Sequence, residues 1–170
     1  MGTQPTKYYS TKQESMIAAD LGWAVVAGSG AAPCTPGDII SDDWLGECKT
    51  HEDKHKIFFD YAVWGKIKEE AMMKHRKPVL FVDDGSQRLD RTWCVCSAAT
   101  FNLTSLVIVP LYVSIRKNIT FSHGTAHEHL RKEGKKILTD FFDDILFTAN
   151  WHGEEVLVMK LSTFKENCDK

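Results

Sequence analysis

The spacing of apolar and polar positions changes period several times along the chain, and each change predicts an element. From Thr11 the period is helical, with Ile17 and Leu21 four apart on one face and Gly22 as a C-terminal stop. Thr11 and Glu14 have the spacing of a capping box, so the helix is expected to start at Thr11. Trp23 to Ala27 reads as a short strand, and Gly28-Ser29-Gly30-Ala31-Ala32-Pro33 as a flexible loop closed by Pro36-Gly37. Asp38 to Ser41 begins a second strand, Asp42-Asp43 turns, and Trp44 to Lys49 returns antiparallel, which makes a hairpin. Tyr61, Trp64, Ile67, Lys68 and Ala71 share one helical face and predict a helix over about Phe58–Lys74. Pro78 to Val82 is a buried-type strand ended by the turn signal Asp83-Asp84-Gly85, with further strands at Trp93–Ser97 and Leu106–Val113.

The last third is less regular. His123 to Lys136 reads as a basic helix, Phe141 to Phe147 as an apolar segment of either type, Glu155 to Leu161 as a strand and Ser162 to Cys168 as a short closing helix. Trp93–Phe101 faintly echoes Val156–Phe164, which suggests two strand-to-helix junctions of similar shape. The order of elements is a mixed α/β pattern.

Composition narrows the class without naming a task. With 170 residues, 43% hydrophobic and 26% charged, the chain is expected to form a single folded domain, its core at about 10–115 and a C-terminal extension at about 116–170. A disordered tail, a collagen-like chain and a coiled coil are ruled out. The longest apolar run, Leu106–Val113, is broken by Pro110 and is far short of the ~20 residues of a membrane span. Met1 to Tyr9 is polar and lacks the apolar centre of a secretion signal, so a soluble, cytoplasmic protein is expected. The five cysteines are read as reduced thiols, and Cys94 and Cys96 as packing residues that share a strand face. The net charge of −2 argues mildly against nucleic acid, but basic residues cluster at Lys66, Lys68, Lys74, Arg76 and Lys77. Of the cations, Lys12, Lys66, Arg76 and Lys77 are the candidates to track DNA phosphates.

The chemistry is concentrated in the hairpin. Side chains alternate faces along a strand, so Glu47 and Lys49 project to one side and Cys48 to the other, with Asp38 laid beside the pair. Two carboxylates and an ammonium then converge. A hard divalent cation such as Mg²⁺ suits two carboxylates plus a phosphate oxygen and waters. Lys49 would orient or deprotonate an attacking water, or neutralise a pentacovalent oxyanion. The bland alternative is a surface hairpin with an ordinary Glu47–Lys49 pair.

Glu14 on the first helix, Gly22-Trp23-Ala24-Val25-Val26, the Gly28-Ser29-Gly30-Ala31 loop, Gly37-Asp38-Ile39-Ile40 and Glu47-Cys48-Lys49 follow one another in the order seen in PD-(D/E)xK nucleases. The arrangement most resembles archaeal-type Holliday-junction resolvases, phage-borne versions included, and covers about residues 10–83. Gly37-Asp38 stands where the family usually has Pro-Asp, with Pro36 one residue earlier. The resemblance implies a restriction-endonuclease-like core, with a central mixed β-sheet flanked by helices and the active site at one edge. By position it implies Asp38, Glu47 and Glu14 as the metal carboxylates, Lys49 as the catalytic lysine and Ser29 near the scissile phosphate. It implies Mg²⁺, with Mn²⁺ able to substitute, and hydrolysis of branched or duplex DNA in a bacterial or archaeal host cell. Symmetric cutting of a four-way junction would need a homodimer.

Each residue also has a plainer reading. Glu14 could only close the capping box, and Ser29 could be a turn residue between glycines. Asp38 could cap a strand, and His51 and His55 could be solvated loop histidines instead of phosphate contacts. His123, His127 and His129 superficially suggest a metal site, but on a helix His129 leaves the face shared by the other two.

Overall fold

The computed structural model describes residues 6–28, 35–51, 56–101, 109–115, 118–122 and 147–169. Helix α1 spans Thr6–Leu21 and buries Gln13, Glu14, Ile17 and Ala18, a narrow stripe at helical spacing. It starts ahead of the expected Thr11, whose carbonyl instead accepts the Ser15 hydroxyl at 2.9 Å inside the helix. The capping box therefore does not form. Residues 6–10 are too polar to show an apolar period, and a hydroxyl residue reads alike at a cap and within a helix. The far end behaves as expected. Gly22 adopts φ +71°, and the Trp23 and Gly22 amides donate to the Ala18 and Ala19 carbonyls, a Schellman stop.

Strand β1 (Ala24–Val25) is shorter than the sequence suggests. The hairpin follows as β2 (Ile39–Ile40) and β3 (Trp44–Thr50), paired Ile39 to Gly46 and Ile40 to Leu45. Next comes β4 (Lys56–Phe59), a strand where the sequence pattern predicts the start of a helix. Helix α2 (Tyr61–Met73) begins only after Asp60, whose carboxylate accepts the Ala62 amide at 2.8 Å and so caps the first turn. Strand β5 (Lys77–Asp83) then runs parallel to β3, with α2 as the crossover. Strand β6 (Trp93–Ser97) is antiparallel to β5.

The remaining described elements are β7 (Val109–Ile115), β8 (Ile119–Ser122), β9 (Phe147–Trp151), β10 (Glu154–Lys160) and α3 (Leu161–Asn167). Eight strands form one mixed sheet in the order β1-β2-β3-β5-β6-β10-β9-β7, and β4 pairs with β8 in a separate ribbon. β10 is thus an interior strand, antiparallel to both β6 and β9. The echo between Trp93–Phe101 and Val156–Phe164 has a structural basis. β6 and β10 are neighbours, Val95 pairs with Val158, and each strand leads into a helical turn. The segment His123–Lys136 lies outside the described residues.

The sheet has a core on each face. Ile17 and Ala18 of α1 meet Trp44, Cys48, Phe81, Cys94, Cys96 and Phe164 on one. Trp64, Ile67 and Ala71 of α2 meet Leu45, Leu80, Val82, Ile57 and Trp151 on the other. The architecture is α/β. Among the described residues no helix is long and apolar enough to cross a membrane.

Gly46 carries a close approach that matters to the hairpin. A Cβ there would lie 2.8 Å from Ile39 Cγ1 and 3.0 Å from Phe81 Cε2. Gly46→Ala is expected to lower unfolding stability by about 1–3 kcal/mol through overpacking. Urea denaturation checks this, and an unchanged midpoint would show that the strand has room to spare.

Candidate active site

Register decides which side chains meet. β2 and β3 pair so that Asp38, one residue before β2, lies across from Glu47. Directly opposed residues of an antiparallel pair share a face. The Asp38 amide donates to the Gly46 carbonyl at 2.8 Å, and Asp38 Oδ2 accepts the Cys48 amide at 2.8 Å. The aspartate is therefore fixed at its backbone and at its carboxylate. Lys49 Nζ lies 2.6 Å from Glu47 Oε1, with Glu47 nearly buried and Lys49 about half exposed. Asp38, Glu47 and Lys49 come together as the alternation predicts.

Helix α2 completes the surroundings. Lys66 Nζ stands 3.7 Å from Glu47 Oε1 and 3.6 Å from Glu70 Oε1, one helical turn on. Glu70 Oε2 accepts the Gly37 amide at 3.0 Å, next to Asp38. One helix thus braces both acids of the hairpin. Sequence reading names Lys66 only as a phosphate contact and misses Glu70. The only advance signal was the i,i+4 spacing of the two residues, which is common on exposed helices.

The other candidates are spread out. Glu14 is buried on α1, close enough that its charge helps push up the Cys48 thiol, which burial raises most. The neighbouring Gln13 amide donates to the Lys49 carbonyl at 3.1 Å and its oxygen accepts the Thr50 hydroxyl at 2.8 Å, so α1 clamps the end of β3. Lys12 is exposed on the same helix. Arg76 Nε donates to the Ser41 carbonyl at 2.8 Å, and Lys77 Nζ sits 5.3 Å from the centre of the Trp44 ring. Lys77 pairs with Trp44, five residues before Lys49, so these two cations lie at the far end of β3, roughly 17 Å away at ~3.3 Å per residue. Ser29, His55, His123, His127 and His129 lie outside the described residues. Cys94 and Cys96 are fully buried free thiols in the α1-side core, both pushed up by burial.

The electrostatics assign states. Burial pushes the Asp38 carboxyl up and the charge of Glu47 adds to it, while the Cys48 amide, Lys49 and Lys66 pull the other way. Burial would lower the Lys49 ammonium, but its hydrogen bond to Glu47 and the charges of Glu47 and Asp38 lift it above its ordinary value. Lys49 is therefore a cation at neutral pH. In this arrangement it is suited to stabilise negative charge, not to take a proton.

The raised Asp38 predicts a pH dependence of stability. A carboxyl whose folded pKa exceeds its unfolded value favours folding at low pH, and that contribution is lost as pH rises through the folded pKa. Ionised Asp38 then costs stability at neutral pH. Asp38→Asn, which keeps an acceptor for the Cys48 amide, is expected to raise the melting temperature at pH 7 in EDTA. The gain should vanish below the ordinary carboxylate range. Thermal melts across pH test this, and a gain that persists at acid pH would remove the charge explanation.

Among the described residues no group of three His, Cys, Asp or Glu side chains is arranged to hold a metal ion. Asp38 and Glu47 alone still fit a Mg²⁺-type ion, which binds through one or two carboxylates plus waters and substrate phosphate. Their mutual repulsion is what a cation would relieve. No family model, curated protein or solved structure matches the chain.

Proposed function

We propose that the protein is a metal-dependent DNA endonuclease with a restriction-endonuclease-like core, hydrolysing phosphodiester bonds in branched DNA such as four-way junctions. The observation that carries this reading is the convergence of Asp38, Glu47 and a charged Lys49 on one face of the β2–β3 hairpin, with Lys49 Nζ 2.6 Å from Glu47. The mixed sheet with helices on both faces, and the position of the hairpin near the β1 edge, accord with the architecture that the sequence resemblance implies.

In this reading Asp38 and Glu47 hold the divalent cation. When bound, the cation neutralises charge at the phosphate and makes water more acidic. Lys49, half exposed, reaches toward the phosphate and offsets the negative charge that grows on its oxygens. Lys66 keeps Glu47 in place, and Glu70 holds the Gly37 amide so that Asp38 stays opposite Glu47. Two symmetric cuts call for two copies of this site, hence a homodimer.

The test is a labelled four-way junction and a matching linear duplex, each incubated with the protein in Mg²⁺, Mn²⁺ and EDTA. Symmetric nicks in the junction alone, in either metal and not in EDTA, are expected. Equal cutting of both substrates would keep the nuclease and remove the junction preference. No cutting in either metal would overturn the proposal in favour of a binding protein.

A further inference from the structure

A cavity of about 200 Å³ opens beside Lys49 on the α2 side of the sheet. Its floor is aliphatic, formed by Leu80 and Val82 of β5 and Val63 of α2. Phe58 and His51 make an aromatic wall, their ring centres 5.6 Å apart and tilted by 47°. Asp60 stands at the rim, one carboxylate oxygen engaged by the Ala62 amide. The space is below the ~300–1,000 Å³ of a pocket for a whole drug-sized ligand, yet equals that of several waters at ~30 Å³ each. It suits one flat ring system.

We propose that this cavity receives an unstacked nucleobase of the nucleotide next to the cut phosphate, an inference that rests on the nuclease reading above. Location is the first support. Lys49 is at once a wall of the cavity and the ion partner of Glu47, so an occupant lies beside the cation–carboxylate cluster. Lining is the second. An apolar floor with π-bearing walls takes any base by stacking, and enzymes that extrude a base into a pocket hold it in this way. The Asp60 carboxylate accepts hydrogen bonds only and favours a base with an exocyclic amino group. Branched DNA supplies such bases cheaply, because unstacking costs least where pairing is already disturbed.

The experiment measures cleavage of junctions that carry an abasic nucleotide at each position flanking the cut, by the wild-type protein and by Val63→Phe, which fills the cavity. One abasic position is expected to slow the wild type by about tenfold, as losing one stacked base would. Val63→Phe should slow the intact junction by a similar factor and ignore the abasic change. Phe58→Leu, which removes the aromatic wall without filling the space, should fall between them. Cleavage by the wild type that is equal at every abasic position would overturn the base pocket and leave the nuclease standing. If nothing is cut in either metal, the nuclease reading fails and methyl NMR titration with deoxycytidine judges the pocket alone. Shifts at Leu80 and Val82 that Val63→Phe abolishes would then support it, and their absence would sink it.

Discussion

Glu47→Gln is expected to lower metal-dependent cleavage of a four-way junction by about 10³-fold or more, the scale of losing a group that stabilises charge in the transition state. Two things go at once. The carboxylate proposed to hold the metal becomes a neutral amide, and Lys49 loses the partner that lifts its ammonium and holds it at 2.6 Å. The fold should survive, because Lys49 and Lys66 are both about half exposed and water can take over their solvation. Rates measured with saturating Mg²⁺, beside circular dichroism of the variant, separate chemistry from folding. Wild-type cutting by a folded Glu47→Gln protein would remove this site from the reaction altogether.

Phe164→Ala carries the largest expected cost to stability, about 3–5 kcal/mol, as for other buried Phe truncations. The side chain is fully buried, and its ring centre lies 5.0 Å from that of Trp44, 5.5 Å from Phe81 and 5.9 Å from both Trp23 and Phe101. Removing it takes one ring from each of four aromatic contacts and leaves a hole between α3 and the sheet. For a chain of this size the melting temperature should fall by about 10 °C or more. Trp44 starts the strand that bears Glu47, so activity should fail at a lower temperature as well. A loss below about 1 kcal/mol in guanidinium titration would mean that α3 docks loosely and collapses onto the gap.

The hairpin was legible in the sequence because a period of two is robust. It aligns Glu47 with Lys49, and a two-residue Asp42-Asp43 turn sets the register that lays Asp38 opposite. The Gly22 stop and strands β5 and β6 were legible for similarly local reasons. The start of α2 was not, because Phe58 and Phe59 extend the aromatic spacing of the helix although they belong to β4. The overlooked signal was Asp60, a cap residue in the middle of that run. Strand β9 was not legible, because the apolar stretch read over Phe141–Phe147 reaches only its first residue. Glu70 was out of reach for a different reason. Its partner, the Gly37 amide, is 33 residues away, and only the packing of α2 on the hairpin brings them together.

The interior position of β10 bears on when the fold is completed during synthesis. The hairpin that positions Asp38, Glu47 and Lys49 emerges first, but β6 pairs on its outer side with β10, which comes from residues 154–160. Until that segment leaves the ribosome, β6 ends the sheet as an open edge, and such edges invite pairing with foreign strands. Contacts this distant in sequence also close slowly. A nascent chain would therefore hold a formed hairpin on an unfinished sheet, and a stable site would appear late, after β10 and Phe164 have sealed the α1-side core.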